Sequence, residues 1–186
     1  MSIVDLLDAV TSELRAAGIP FMLTGSFAAA VHGAGRATMD VDLVIDPAVS
    51  ALDSFVQRMS DAGRYVSAEA AREALAARTM FNLIDVESGW KVDLIIRKDR
   101  AFSRSEFDRR EHLAFGPVTL PVASVEDLVL AKLEWARLGG SARQLEDVRA
   151  LVRIAGPELD RAYLTQWIAE LGVAELWRAV SIQDVA

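Results

Sequence analysis

In the run Arg36-Ala37-Thr38-Met39-Asp40-Val41-Asp42-Leu43-Val44-Ile45, the residues from Asp40 onward alternate as a β-strand does, and Pro47 closes the segment. Successive strand side chains point to opposite faces. Asp40 and Asp42 therefore share one face, while Val41, Leu43 and Ile45 share the other and are expected in the core. Two carboxylates about 4 Å apart repel by roughly 4 kcal/mol at an effective dielectric near 20. A stable fold has little reason to accept that cost unless a cation sits between them or one carboxyl is protonated. Hard divalent cations take oxygen ligands, and Mg²⁺ is usually held by one or two carboxylates together with substrate phosphates.

Upstream, Phe21-Met22-Leu23 reads as a short buried strand, broken by Thr24-Gly25-Ser26 before the helical run Phe27–His32. A glycine at a strand-to-helix junction lets a phosphate approach the backbone, and the helix start presents free N–H groups to an anion. The Ser26 hydroxyl adds a donor. Downstream, Trp90-Lys91-Val92-Asp93-Leu94-Ile95-Ile96 is a second strand with a lone acid on the face opposite Trp90, Val92, Leu94 and Ile96. A paired surface acid beside Lys91 is the plainer alternative for Asp93. If the two strands are neighbours, Asp40, Asp42 and Asp93 converge, enough to hold two divalent ions for in-line displacement at phosphorus. Together these features describe a site for a metal-bound nucleoside triphosphate.

The order strand, Gly-Ser, helix, Asp-x-Asp on a strand, then a lone Asp on a later strand resembles the DNA polymerase beta-like nucleotidyltransferase superfamily. Thirteen residues separate Ser26 from Asp40, which fits the spacing of that family. Arg36-x-Thr38-x-Asp40-x-Asp42, Glu126–Leu133 and Arg143–Val148 look like the bacterial subgroup that includes the nucleotidyltransferase toxins of type IV toxin–antitoxin systems. That subgroup carries a lysine on one C-terminal helix and an aspartate on the next. It commonly has Arg-Asp where this chain has Glu146-Asp147, with the nearest arginine at Arg143.

The resemblance implies an α+β nucleotidyltransferase fold, a small mixed sheet flanked by helices with a C-terminal helical region. Gly25, Ser26, Arg36, Lys132 and Asp147 would bind the nucleotide, Asp147 by orienting Lys132 or the nucleotide itself. Asp40, Asp42 and Asp93 would be catalytic and would bind the metal, Mg²⁺ or Mn²⁺, with Asp93 also acting as general base. The implied reaction moves a nucleoside monophosphate from a triphosphate to an acceptor hydroxyl on a protein, a tRNA or a small molecule, releasing pyrophosphate. A catalytically silent nucleotide-binding module of the same fold is one alternative. A toxin-like enzyme restrained by an antitoxin-like protein partner is another.

Composition allows a folded core and argues against disorder. The chain has 186 residues, 52% of them hydrophobic and 25% charged, and no cysteine. Disulfide scaffolds, thiolate metal sites and cysteine nucleophiles are excluded. The two histidines, His32 and His112, are too few for a multi-histidine metal site. A net charge of −7 argues against extensive nucleic-acid binding, which rests on neutralising phosphates. No apolar run approaches the roughly 20 residues that span a bilayer, and the first residues lack a basic leader. A cytoplasmic location is the expectation. The Gly-Lys-Ser/Thr ending of a P-loop is absent, and Gly33-Ala34-Gly35 lacks the third glycine of a dinucleotide fingerprint.

Helical spacing predicts helices over 2–17, 48–61 and 68–77, and strands over 65–66, 79–86, 90–96 and 118–120. Glu87-Ser88-Gly89 suits a hairpin turn between two of those strands. The stretch 97–110, where arginines alternate with acids, reads as a solvated surface or as a receiver of an acidic or RNA acceptor. From Ser124 onward the pattern is all-helical, with helices expected to about Gly139, over 142–155 and 157–171, and around Leu176-Trp177. We therefore expect a core of residues 1–123 and a helical subdomain of residues 124–186 packed closely on it. Trp135, Trp167 and Trp177 sit at helical spacing among aliphatics and are expected in the core.

Overall fold

A computed structural model describes residues 2–36 and 38–181. The helices are α1 (Ile3–Ala16), α2 (Gly25–Val31), α3 (Val49–Asp61), α4 (Ala68–Ala77), α5 (Ala101–Asp108), α6 (Val125–Gly139), α7 (Ala142–Ala155), α8 (Arg161–Glu170) and α9 (Ala174–Ser181). The strands are β1 (Phe21–Thr24), β2 (Asp40–Ile45), β3 (Tyr65–Val66), β4 (Met80–Ile84), β5 (Lys91–Ile96), β6 (Glu111–Phe115) and β7 (Val118–Val122). They form one mixed sheet in the order β3-β4-β5-β2-β1-β7-β6. β2 and β5 run parallel at its centre, β1 pairs antiparallel with β2, and β4–β5 is an antiparallel hairpin.

Local chemistry accounts for most of these elements. Ser2 and Asp5 cap α1 reciprocally, and its stripe of Leu6, Leu7, Val10 and Leu14 is fully buried. Val41, Leu43 and Ile45 of β2 and Val92, Leu94 and Ile96 of β5 are all 0% exposed. The back of the central pair is thus solid core, and the opposite face is left for chemistry. Ser124 accepts the Asp127 N–H at 3.2 Å and starts α6. Gly140 ends α6 in the left-handed region at φ 62. One continuous core joins residues from both sides of position 124, from Leu6 to Val180.

The structure departs from the sequence reading in four places. Helix α2 begins at Gly25 itself, not at Phe27. The arginine-rich stretch contains α5, whose apolar anchor is little more than Phe102 and Phe107; so narrow a stripe gives almost no periodic signal. β6 is an outer strand of the sheet, half-exposed to exposed throughout, and β7 extends to Val122 through Pro121. The helix expected over 157–171 is a short 3₁₀ turn at Gly156–Glu158 followed by α8, which Asp160 caps through the Tyr163 N–H at 2.9 Å.

Candidate active site

Strand register builds the site. Thr24 of β1 pairs with Asp42 of β2, Asp42 with Asp93 of β5, and Asp93 with Asn82 of β4. Residues directly opposite in a sheet share a face, so one row crosses four strands with two carboxylates at its centre. In the next row Asp40 pairs with Lys91. The expected adjacency of the two acidic strands is therefore present. Helix α6 lies over this face. Its residues Leu128, Ala131, Lys132 and Trp135 fall at i, i+3, i+4 and i+7 and roof a cleft of about 280 Å³. Gly25, Ser26, Arg36, Asp40, Asp42, Asp93 and Lys132 all line that cleft.

Gly25 has a sharper reason to be glycine than phosphate access alone. Its φ is +67, and a Cβ there would lie 1.9 Å from Oδ2 of Asp42. The absent side chain is what lets the Asp42 carboxylate lie against the start of α2. Ser26, the next residue, is buried and faces the same cleft. No side chain caps α2.

Lys132 and Asp147 are both buried, at 4% and 7% exposure, and joined at 2.7 Å. Arg36 Nε donates to both Asp147 oxygens at 3.2 Å. The amide oxygen of Gln144 also accepts from Lys132, at 3.3 Å. Asp147, carried on α7, thus holds one cation from the loop before β2 and one from α6, and turns both toward the cleft. Arg143 and Glu146, by contrast, are exposed.

The acids differ in environment. Asp40 lies at the rim, with its side chain 51% exposed. Asp42 is half-buried, and its pKa is pushed up to about 6, first by burial and then by the charge of Asp93, against the pull of Lys132. Asp93 is 6% exposed. Its Oδ2 accepts from Lys91 at 3.0 Å, while Oδ1 is buried with no hydrogen-bond partner. Lys91 also reaches Asp40 Oδ1 at 3.3 Å. Among the described residues, no three histidine or acidic side chains are gathered tightly enough to hold a metal ion as they stand. The donor set nonetheless fits one: hard carboxylate oxygens on a shared face, one of them buried and unsatisfied.

A smaller cleft of about 80 Å³ opens beside the first and shares Thr24, Ile95, Ala131 and Trp135 with it. It is bounded by α5 and α6, with Glu106 and Glu134 in its wall. Arg100 clamps Glu134 with both terminal nitrogens, at 2.5 and 2.6 Å. The pKa of Glu106 is pushed up to about 8 by burial and by the charge of Asp127.

Lys91 is legible in the sequence as a neighbour of Asp93, and its place two residues earlier on the same strand face is the signal that brings it to the site. Trp135 was expected in the core; it is 54% exposed and lines both clefts. Trp167 is buried as expected and Trp177 partly so. His32 ends α2, its Nε2 2.8 Å from the Ala123 carbonyl oxygen, and lies outside the cleft linings.

No family model and no curated protein matches the sequence. Solved structures do match along nearly the whole chain. The antibiotic-resistance factor ANT(2'')-Ia in complex with adenylyl-2''-tobramycin aligns with TM-score 0.58 and 14% identity, over 92% of this chain and 98% of that one. The lincosamide antibiotic adenylyltransferase LnuA, lincomycin-bound, aligns with TM-score 0.54 and 15% identity, over 80% and 95%. An antigenic nucleotidyltransferase-like protein from Paracoccidioides brasiliensis aligns with TM-score 0.55 and 17% identity, over 95% and 90%. The chain has the nucleotidyltransferase fold. No helix among the described residues is long and apolar enough to cross a membrane.

Proposed function

We propose that this nucleotidyltransferase-fold protein is a metal-dependent enzyme that transfers a nucleoside monophosphate from a triphosphate to a hydroxyl acceptor. One observation carries the reading. Asp42 and Asp93 stand side by side on the floor of a cleft whose walls bring Gly25-Ser26 and the Lys132–Asp147–Arg36 group to the same space. A purely structural role does not account for it, since burial and then the charge of Asp93 raise the pKa of Asp42, and an oxygen of Asp93 is buried without a hydrogen-bond partner.

In this reading Asp40, Asp42 and Asp93 would hold the divalent ions, Mg²⁺ or Mn²⁺, which would supply neutralisation of charge on the attacking and leaving oxygens. Ser26 and the backbone at the start of α2 take the triphosphate, with Lys132 and Arg36 adding positive charge that Asp147 keeps in place. The acceptor oxygen bonds to the α-phosphorus, the bond from that phosphorus to the bridging oxygen breaks, and pyrophosphate leaves. The acceptor's proton passes to Asp93, the general base in this reading. The acceptor enters through the second cleft, with the exposed ring of Trp135 flanking its path.

A small-molecule acceptor is favoured by the fold neighbours ANT(2'')-Ia and LnuA and by the net charge of −7. The toxin-like reading, with an antitoxin-like partner, rests on the sequence resemblance. The deciding experiment is incubation with each α-labelled triphosphate, Mg²⁺ or Mn²⁺, and acceptor pools of small hydroxyl compounds, tRNA and protein. Labelled acceptor plus pyrophosphate is expected, and Asp93→Asn is expected to lose both. Nucleotide binding without pyrophosphate release from any pool would make the chain a silent binding module.

A further inference from the structure

Among the described residues, Lys91 is a cation on the acidic face that the proposed chemistry leaves without a task. Its ammonium lies 3.3 Å from Asp40 Oδ1 and 3.0 Å from Asp93 Oδ2, and its side chain is one-third exposed. This position is fixed by the backbone. Lys91 is the register partner of Asp40 and sits two residues before Asp93 on the same strand, so its stem rises from the face that carries both acids.

We propose that Lys91 is the resident counter-ion of the metal site, holding the place between Asp40 and Asp93 until a divalent cation displaces it. The inference rests on the nucleotidyl-transfer reading and deepens it. Asp40, Asp42 and Asp93 on one sheet face would repel one another in a metal-free chain, and a tethered ammonium quenches that repulsion. A carboxylate oxygen bound to Mg²⁺ lies about 2.1 Å from the ion. The lone pairs that bind the ion are those that Lys91 occupies, so the two cations compete for Asp40 Oδ1 and Asp93 Oδ2.

Two consequences follow. Lys91 stabilises the empty protein and weakens its hold on free divalent ions. Tight metal binding then requires the triphosphate, whose oxygens complete the ligand set that two partly engaged carboxylates cannot. The metal thus arrives with the nucleotide.

The test is Mn²⁺ binding without nucleotide, followed by the electron paramagnetic resonance of free Mn²⁺, on the wild-type chain and on Lys91→Met. Methionine keeps the unbranched stem and removes the charge. We expect Lys91→Met to bind Mn²⁺ about tenfold more tightly and, without metal, to melt below the wild type. In crystals of the wild type soaked with Mn²⁺, the Lys91 ammonium should lie out of reach of both carboxylates. Equal affinity in the two chains overturns the proposal, as does a Mn²⁺-bound structure in which Lys91 still bridges Asp40 and Asp93. If neither chain binds Mn²⁺ with or without a triphosphate, the acids are no metal site, and the enzymatic reading falls together with this one.

Discussion

Asp42 shows how a single residue trades stability for chemistry. Its folded-state pKa is about 6 against 3.8 for an ordinary aspartate. Between those values the folded chain holds a proton that the unfolded chain has released, so stability falls as pH rises from about 4 to 6, and the cost is fully present above that range. Asp42→Asn removes the charge and keeps the shape. We expect this variant to lose nucleotidyl transfer yet melt at or above the wild type at pH 7.5, with the gain vanishing near pH 3.5. Calorimetry across that range checks it, and a lower melting temperature at pH 7.5 would make Asp42 a structural residue. Gly25 gives the opposite prediction. A Cβ there meets the Asp42 carboxylate at 1.9 Å, on a backbone with φ of +67. The left-handed conformation alone costs a non-glycine residue about 1–3 kcal/mol. Gly25→Ala should therefore lower stability by at least that much in urea titrations, and paired with Asp42→Ala, which removes the carboxylate and leaves only the Cβ contact at 3.0 Å, it should cost less than it does alone.

At the scale of elements, what could be read locally differs from what could not. The two-residue alternation in β2 and β5 is visible in sequence because each strand buries one face completely. That β2 and β5 are parallel neighbours is a long-range fact; the sequence offers their adjacency only as the condition on which three acids converge, and says nothing of their direction. Helix α6 carries a stripe of Leu128, Ala131, Lys132 and Trp135 that sequence alone cannot orient. The same periodicity suits a core-facing stripe and one that roofs a cleft, and for Trp135 the second holds. Helix α5 is hard to see in sequence because the arginines in and around it alternate with acids. Arg104, within it, is exposed and pairs with exposed Asp99, but the two arginines that flank it are fastenings. Arg100 grips Glu134, and Arg109 reaches Glu126 at 3.2 Å and Asp127 at 3.4 Å while lying over the Tyr163 ring at 3.9 Å. Asp127 is 0% exposed. Arg109→Ala would leave it with hydrogen bonds from Ser124 and Tyr163 and remove its Arg109 ion pair. Loss of a fully buried pair costs about 3–5 kcal/mol; Arg109 is one-third exposed, so we expect on the order of 2 kcal/mol, measured by denaturant titration. A variant of wild-type stability would mean that the clamp contributes nothing.

The whole molecule places its chemistry on a seam. The sheet face supplies the acids, α6 and α7 supply Lys132 and Asp147, and the cleft exists only while α6 and α7 stay seated against the sheet. One continuous core crosses position 124, from α1 through the sheet to α9. The two regions should therefore unfold together in a single calorimetric transition, despite their different character in sequence. A ligand bound across the seam should raise that transition without splitting it. At a free concentration 100 times its dissociation constant, a ligand that binds only the folded state adds about 2.7 kcal/mol. For a domain of 150–250 residues each kcal/mol moves the midpoint by about 2–4 °C, so a triphosphate analogue with Mg²⁺ should shift it by about 5–11 °C. Lys132→Met should abolish most of that shift, because it removes the charge that α6 presents to the phosphates. Trp135→Ala should retain it, since in the proposed arrangement the ring borders the acceptor's path and is more than half exposed in the empty cleft. A ligand that splits the transition in two would instead show that it grips one region alone, and the triphosphate would then have to sit on the sheet face without α6.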